Sequence, residues 1–276
     1  MKSSSIDFNY EKELIYQEAQ REAERLKELR EALLEATTYK KGEITKEVFK
    51  LPMPTSKNFL SNKNVNVKTY GAIMLKSNWG GTFRNPNERY LYKDKFDEAI
   101  KEITEELNIS QSTIKRHINK LKRCELQVVD EKFKVYTIEL GKTASDELVY
   151  KLNYGTYNDK TGNLENFVTI TNVALRKLVN AYSENSLRIY LFLLYKCYKG
   201  EAYIKQEEIC EAIGLSYKTR KVVTDCVEAL INGGFISVRN DYNVHTRKNK
   251  SGDTVEHIIP NYFYSLSEDY LLDFKK

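Results

Sequence analysis

The sequence has little cysteine and no long hydrophobic run, and both absences exclude whole classes of protein. Its 276 residues include four cysteines, and no pair of them has CxxC spacing. We therefore expect neither a structural zinc site nor a disulfide framework, and a reducing cytoplasm is the expected compartment. The longest apolar run, residues 189–195, is far shorter than the roughly 20 residues needed to cross a bilayer. The charged N-terminal region predicts no secretory signal, and we expect no contact with a membrane.

Common catalytic and nucleotide-binding motifs are also missing. Residues 141–143 read Gly-Lys-Thr, as at the end of a phosphate-binding loop, but Tyr136 stands where the first glycine of that loop is required. The histidines His117, His245 and His257 form neither an HxH pair nor an HExxH motif. No paired acidic motif indicates a two-metal nuclease. We therefore predict a protein that is not an enzyme, with no catalytic residue, metal site or cofactor.

Positive charge is concentrated in the middle of the chain. The net charge is +5 overall. Residues 39–140 contain 20 basic and 13 acidic side chains, a net charge of +7, and residues 141–200 have a net charge of +3. The flanking residues 1–38 and 201–276 are net negative, at −3 and −2. A polyanion is therefore expected to dock on the middle of the chain.

Residues 96–126 have the pattern of a helix-turn-helix. Three- and four-residue steps define two apolar stripes, Phe96, Ile100, Ile103 and Leu107, followed by Ile114, Ile118 and Leu121. Asn108-Ile109-Ser110 separates them, and Ser110 is suited to cap the second helix. After this helix, alternating apolar residues over 126–129 and 133–138 predict a β-hairpin with its turn at 130–132.

The polar face of the second helix carries the chemistry that contacts DNA. It has no acidic residue before Glu125, and its amide, hydroxyl and guanidinium groups are those that bind base edges and phosphates. Together with two hairpin lysines, the expected DNA contacts in this region are Gln111, Ser112, Thr113, Lys115, Arg116, Asn119, Lys120, Arg123, Lys132 and Lys134.

This pattern recurs later in the chain. Residues 209–216 match residues 103–110 at an offset of 106, and after the turn the offset becomes 109, with three extra residues around 217–221. A preceding helix over 187–198 is predicted, and a following hairpin pairs 235–238 with about 255–264, leaving a long tip over 243–254. Asp225 and Glu228 weaken this second face. The expected contacts here are Tyr217, Lys218, Thr219, Arg220, Lys221, Thr224, Arg247, Lys248 and Lys250.

Two helix-turn-helix patterns, each followed by a hairpin, resemble the tandem winged-helix proteins found among bacterial regulators and plasmid or phage replication initiators. The resemblance covers residues 70–140 and 167–265. It implies a mainly α fold with small β-hairpins (α+β), in which an N-terminal helix is followed by two winged-helix domains. It also implies that the helix from Gln111 enters the major groove.

The domain organisation predicted from composition has five parts. A charged amphipathic helix occupies 1–38 (helical over 10–36), a linker 39–68, the first winged helix 69–140, a second linker 141–166, and the second winged helix 167–276. The apolar face of residues 10–36 is expected either to pack on its own domain or to form a homodimer.

We therefore predict a sequence-specific double-stranded DNA-binding protein, a cytoplasmic and nucleoid-associated transcriptional regulator of a bacterium or mobile element. Two alternatives stay open at this point. One is a replication initiator that binds origin repeats. The other is a non-enzymatic, protein-binding adaptor whose winged helices are structural.

Overall fold

The computed structural model describes residues 38–41, 44–52, 59–79, 89–128, 134–143, 145–154, 156–157, 164–165, 167–248 and 254–270. The helix predicted over residues 10–36, together with Lys132 and Lys250, lies outside this range. Over the described part the fold is mixed α/β, with seven helices and several small antiparallel sheets. None of the described helices is long and apolar enough to span a membrane.

The helices are short, and most have apolar residues on one face. They are α1 Val67–Lys76, α2 Phe96–Leu107, α3 Gln111–Leu121, α4 Asn172–Ala181, α5 Glu184–Lys196, α6 Gln206–Ala212 and α7 Arg220–Asn232. A 3-10 turn over Tyr217–Thr219 directly precedes α7, and another covers Glu268–Tyr270. Helices α1 and α5 are exceptions to the one-sided pattern, because six consecutive residues of α1, from Thr69 to Met74, and nine of α5, from Ser186 to Leu194, are buried.

In the part of the chain that the structure describes, fourteen strands form five small sheets. The strands are β1 Thr38–Lys41, β2 Ile44–Pro52, β3 Asn78–Trp79, β4 Arg89–Tyr92, β5 Glu125–Val128, β6 Lys134–Tyr136, β7 Ile138–Lys142, β8 Leu148–Leu152, β9 Thr156–Tyr157, β10 Leu164–Glu165, β11 Phe167–Thr171, β12 Ala202–Tyr203, β13 Ile236–Lys248 and β14 Thr254–Leu266. The sheet orders are β1-β2-β11, β3-β4-β8-β7, β12-β14-β13, and the pairs β5-β6 and β9-β10.

The segment predicted as a linker over 39–68 is largely ordered structure, so that expectation was wrong for its described residues. Strand β2 pairs with β11 in antiparallel register, with Leu51 opposite Val168. Phe49, Leu51 and Phe59 are buried in the core, and α1 begins inside the segment. The strand itself contains no Ser or Asn. The linker expectation came from Pro52 and Pro54 and from the Ser-, Asn- and Lys-rich residues 58–68 that follow the strand.

The second predicted linker, 141–166, is also structured where it is described. Strand β8 lies at the centre of a four-stranded sheet, paired with β4 on one side and β7 on the other. Val149, Leu152 and Tyr154 are buried there. The buried residues before and after this segment form one continuous hydrophobic core.

Both predicted hairpins are present, with changed limits. In the first hairpin, β5 pairs with β6. The strand predicted over 133–138 is interrupted at the buried Thr137, and β7, which begins after it, pairs with β8 instead. In the second hairpin, pairing runs from Ile236–Leu266 to Lys248–Thr254. The long loop predicted over 243–254 was therefore wrong, because the two strands continue into it.

Candidate nucleic-acid interface

Helices α2 and α3 form a helix-turn-helix whose turn is fixed by backbone hydrogen bonds. Asn108 ends α2 in the left-handed conformation, with φ of 51°. Its N–H donates to the Glu105 carbonyl, and the Ile109 N–H donates to the Thr104 carbonyl at 3.2 Å, so two helix-end carbonyls are satisfied. Ser110 then caps α3, its Oγ accepting from the Thr113 N–H at 3.3 Å. This is the cap that the sequence predicted.

The two apolar stripes meet in the core and leave the polar face of α3 outside. Ile103 from α2 and Ile114, Ile118 and Leu121 from α3 are buried. Seven of the predicted contacts on α3 and just after it are exposed, namely Gln111, Ser112, Lys115, Arg116, Asn119, Lys120 and Arg123. Thr113 is partly buried. Lys134 lies on β6, where only its backbone is described.

One acidic side chain borders this face, and the sequence analysis missed it. Asp97, in the first turn of α2, has its Oδ1 3.3 Å from the Lys115 Nζ, and both side chains are largely exposed. The two residues are 18 positions apart, on helices whose crossing cannot be derived from the apolar spacing alone. This pair reduces the positive charge at the N-terminal half of α3.

His117 lies on the side of α3 that faces α1. Its Nδ1 is 2.9 Å from the Thr69 Oγ1, with either atom able to donate according to the tautomer. Burial lowers the pKa of His117, and the nearby cations Arg116 and Lys120 act in the same direction, while Glu184 opposes them. The histidine therefore joins α3 to α1 as a packing residue.

The second helix pair, α6 and α7, repeats the turn of the first. Gly214, the counterpart of Asn108, is also left-handed, with φ of 75°, and the Leu215 N–H donates to the Cys210 carbonyl at 2.8 Å. Ser216 again supplies the cap, accepting from the Lys218 N–H at 3.4 Å. The 3-10 turn Tyr217–Thr219 then accounts for the three extra residues that changed the offset from 106 to 109.

The predicted contacts of the second pair divide between this turn and α7. The helix begins at Arg220, because Tyr217–Thr219 form a 3-10 turn. The exposed side chains are Tyr217, Lys218, Thr219, Arg220 and Lys221, whereas Thr224 is partly buried. Arg220 packs over the Tyr217 ring and donates to its hydroxyl at 3.2 Å. The side chains of Arg247 and Lys248 lie outside the described part.

The acidic residues expected to weaken the second face are exposed. Asp225 and Glu228 both lie on the solvent side of α7. Helix α3, by contrast, contains no acid of its own. The two helix pairs therefore share a backbone design and differ in charge, with the first better suited to a polyanion.

Comparison with known families agrees with the position of the first helix pair. The family described as bacterial regulatory protein, arsR family, matches residues 97–126. This range covers α2 from its second residue, the turn, all of α3 and the start of β5. No curated protein matches the chain. The helix-turn-helix predicted from the apolar spacing is thus confirmed at this place.

Proposed function

We propose that this protein binds a specific sequence of double-stranded DNA and regulates transcription. The observation that carries the proposal is the exposed, acid-free face of α3 on a helix-turn-helix that matches a family of bacterial regulators. Buried Ile114, Ile118 and Leu121 hold the helix from below, so that the polar side chains are presented on a rigid element. Rigid presentation reduces the entropy lost when those side chains bind.

In this mechanism the N-terminal half of α3 enters the major groove, as recognition helices do. Gln111 and Arg116 have the geometry for bidentate bonds to adenine and guanine edges, respectively. Lys120 and Arg123, nearer the C-terminal end, suit phosphate contacts that fix the register of the helix on the duplex.

We further propose that the second helix pair is a second winged helix that binds the same duplex. In chain order, strand β12 lies between α5 and α6, and the long hairpin β13-β14 follows α7. The three strands form one sheet in the order β12-β14-β13. This is the order of helices and strands expected of a winged helix. Lys218, Arg220 and Lys221 are exposed at the start of its recognition element.

The experiment is selection of bound fragments from the source genome, followed by footprinting at two salt concentrations. One protected site that overlaps a promoter supports the regulator. A cluster of spaced repeats beside AT-rich DNA contradicts it and indicates a replication initiator. If no fragment is enriched even at low salt, DNA binding is refuted and a protein-binding adaptor takes its place.

The matched variants are Arg116→Ala and Arg176→Ala. Arg116 is exposed on α3, and Arg176 is exposed on α4, outside both helix pairs. If Arg116 binds a base, its loss costs about 1–3 kcal/mol of binding, or roughly 5- to 150-fold in Kd, and relaxes the preference at one position. Arg176→Ala should leave Kd unchanged. Equal Kd values for both variants and the wild type would remove Arg116 from the interface.

A further inference from the structure

A short buried segment lies between the two helix pairs. Residues 59–65, here called the bridge, lead into α1, and the bridge is anchored by apolar side chains at both ends. Phe59, Leu60 and Val65 are almost completely buried, whereas Lys63 and Asn64 between them are exposed. The bridge is therefore part of the core at its ends and part of the surface at its middle.

The side chain of Arg188, on α5, binds the backbone of the bridge. Arg188 is 4% exposed, and its guanidinium donates to four bridge carbonyls, those of Phe59, Leu60, Asn62 and Val65. Glu184 Oε1, 2.6 Å away, neutralises the buried charge. A buried guanidinium with this many acceptors fixes the path of the chain, because any movement leaves a desolvated donor without a partner.

Glu184 extends the same network to α1. Its Oε2 accepts from the Asn66 Nδ2 at 2.6 Å, and its Oε1 accepts from the Val67 N–H at 3.1 Å. A carboxylate is favourable at a helix N-terminus because the free N–H groups and the helix dipole point toward it. The bridge and the start of α1 are thus held by one ion pair from α5.

Each helix pair contacts the bridge. On one side, the Lys120 Nζ of α3 donates to the Asn64 Oδ1 at 3.4 Å. On the other side, Gly214 in the turn of the second pair lies so close to Ser61 that a Cβ there would overlap the Ser61 carbonyl. The C-terminal end of α3 and the turn of the second pair therefore both contact the seven-residue bridge.

We propose that the bridge, fixed by Arg188, sets the distance and rotation between the two recognition elements, so that the protein accepts a two-part DNA site of only one spacing. This inference rests on the proposed function, including binding by the second helix pair. One added base pair moves the second half-site by about 3.4 Å and turns it by roughly 35°. A close-packed interior does not deform to follow such a change. Arg188 is then a positioning residue for DNA recognition.

The test is a spacer series on the selected duplex. One, two or five base pairs are inserted between the two protected segments, and Kd is measured for the full chain. The expected result is a loss of affinity of about tenfold or more on the first insertion, since the second contact no longer adds to the first. Five base pairs should reduce binding to that of a duplex with only the α3 half-site.

The variant is Arg188→Met with Glu184→Gln, which removes both buried charges together and avoids leaving one unpaired. Its expected spacer penalty, the ratio of Kd with and without one added base pair, is at least about threefold smaller than in the wild type. Arg176→Met on α4 is the control and should keep the wild-type ratio. Both Kd values in a ratio are measured on the same preparation, so an unfolded fraction of a variant changes both equally and cancels in the ratio.

Three results would overturn the inference. Wild-type protein that binds all spacers within about twofold would show that the two elements are not rigidly coupled, and this needs no variant. An unchanged ratio in the double variant would show that Arg188 does not position them. Failure of every duplex to bind at low salt would refute the proposed function itself, a result distinct from the other two.

Discussion

Gly214→Ala tests the contact between the bridge and the second helix pair, and the chain contains its own control. Gly214 and Gly234 have nearly equal φ angles, of 75° and 72°. A Cβ on Gly214 would overlap the backbone of Ser61, whereas a Cβ on Gly234 would have nothing within 4 Å. The difference between the two alanine variants therefore isolates the contact from the backbone strain.

The expected magnitudes follow from these surroundings. Alanine in the left-handed region costs about 1–2 kcal/mol at either position. At Gly214 the overlap is with Ser61, and the carbonyls of the residues on either side of Ser61 accept from Arg188, so overpacking adds about 1–3 kcal/mol. We expect Gly234→Ala to lower the free energy of unfolding by about 1–2 kcal/mol and Gly214→Ala to lower it by about 2–5 kcal/mol.

The assay is urea unfolding of both variants and the wild type, monitored by circular dichroism. The slope with denaturant must be the same in all three for the midpoints to report stability. If the two alanine variants agree within about 0.5 kcal/mol, the approach of Ser61 to Gly214 is not a tight contact. The bridge would then not support the second helix pair, and of the two contacts only that between Lys120 and Asn64 would remain.

Two further predictions concern α3. Asp97→Asn removes the carboxylate beside Lys115, so DNA affinity should rise about two- to fivefold. The control, Glu105→Gln at the far end of α2, should change Kd little. Equal effects of the two substitutions on Kd would contradict this prediction. Burial lowers the pKa of His117, so the unfolded chain binds more protons as the pH falls below about 6.5, and stability is lost on acidification. His117→Gln should lose less stability than the wild type between about pH 7.5 and 5.5 in urea unfolding, and parallel losses would refute the assignment.

The first helix pair could be predicted from the sequence because all of its signals are local. Apolar residues at three- and four-residue steps define α2 and α3, and Ser110 caps α3 by contacting a residue three positions away. The repeat was visible for the same reason, since Asn108 and Gly214 both provide the left-handed residue that ends a helix. Even the change of offset had a local cause, the 3-10 turn at Tyr217.

The bridge could not be predicted, because its partners are distant in sequence. Arg188 binds carbonyls more than 120 residues earlier, and β2 pairs with a strand on the far side of the first helix pair. An arginine in an apolar helix gives no sign of whether its charge is solvated or buried. The Ser- and Asn-rich composition of residues 59–65 indicated a flexible linker, whereas their backbone carbonyls are what Arg188 recognises.

The difference in charge between the two helix pairs explains why rigid coupling would be useful. Helix α3 and the two residues directly after it carry five exposed or partly exposed cations, and the helix has no acid of its own, so in the proposed function it supplies the larger share of the binding energy. Helix α7 places Asp225 and Glu228 on its exposed face, so in the proposed function the second pair alone would bind DNA weakly. A weak site contributes when the strong site holds it at the correct position, because its effective concentration is then high. In the proposed arrangement Arg188 and the bridge hold the two helix pairs in place, and a monomer would then recognise an asymmetric site that neither helix pair could select alone.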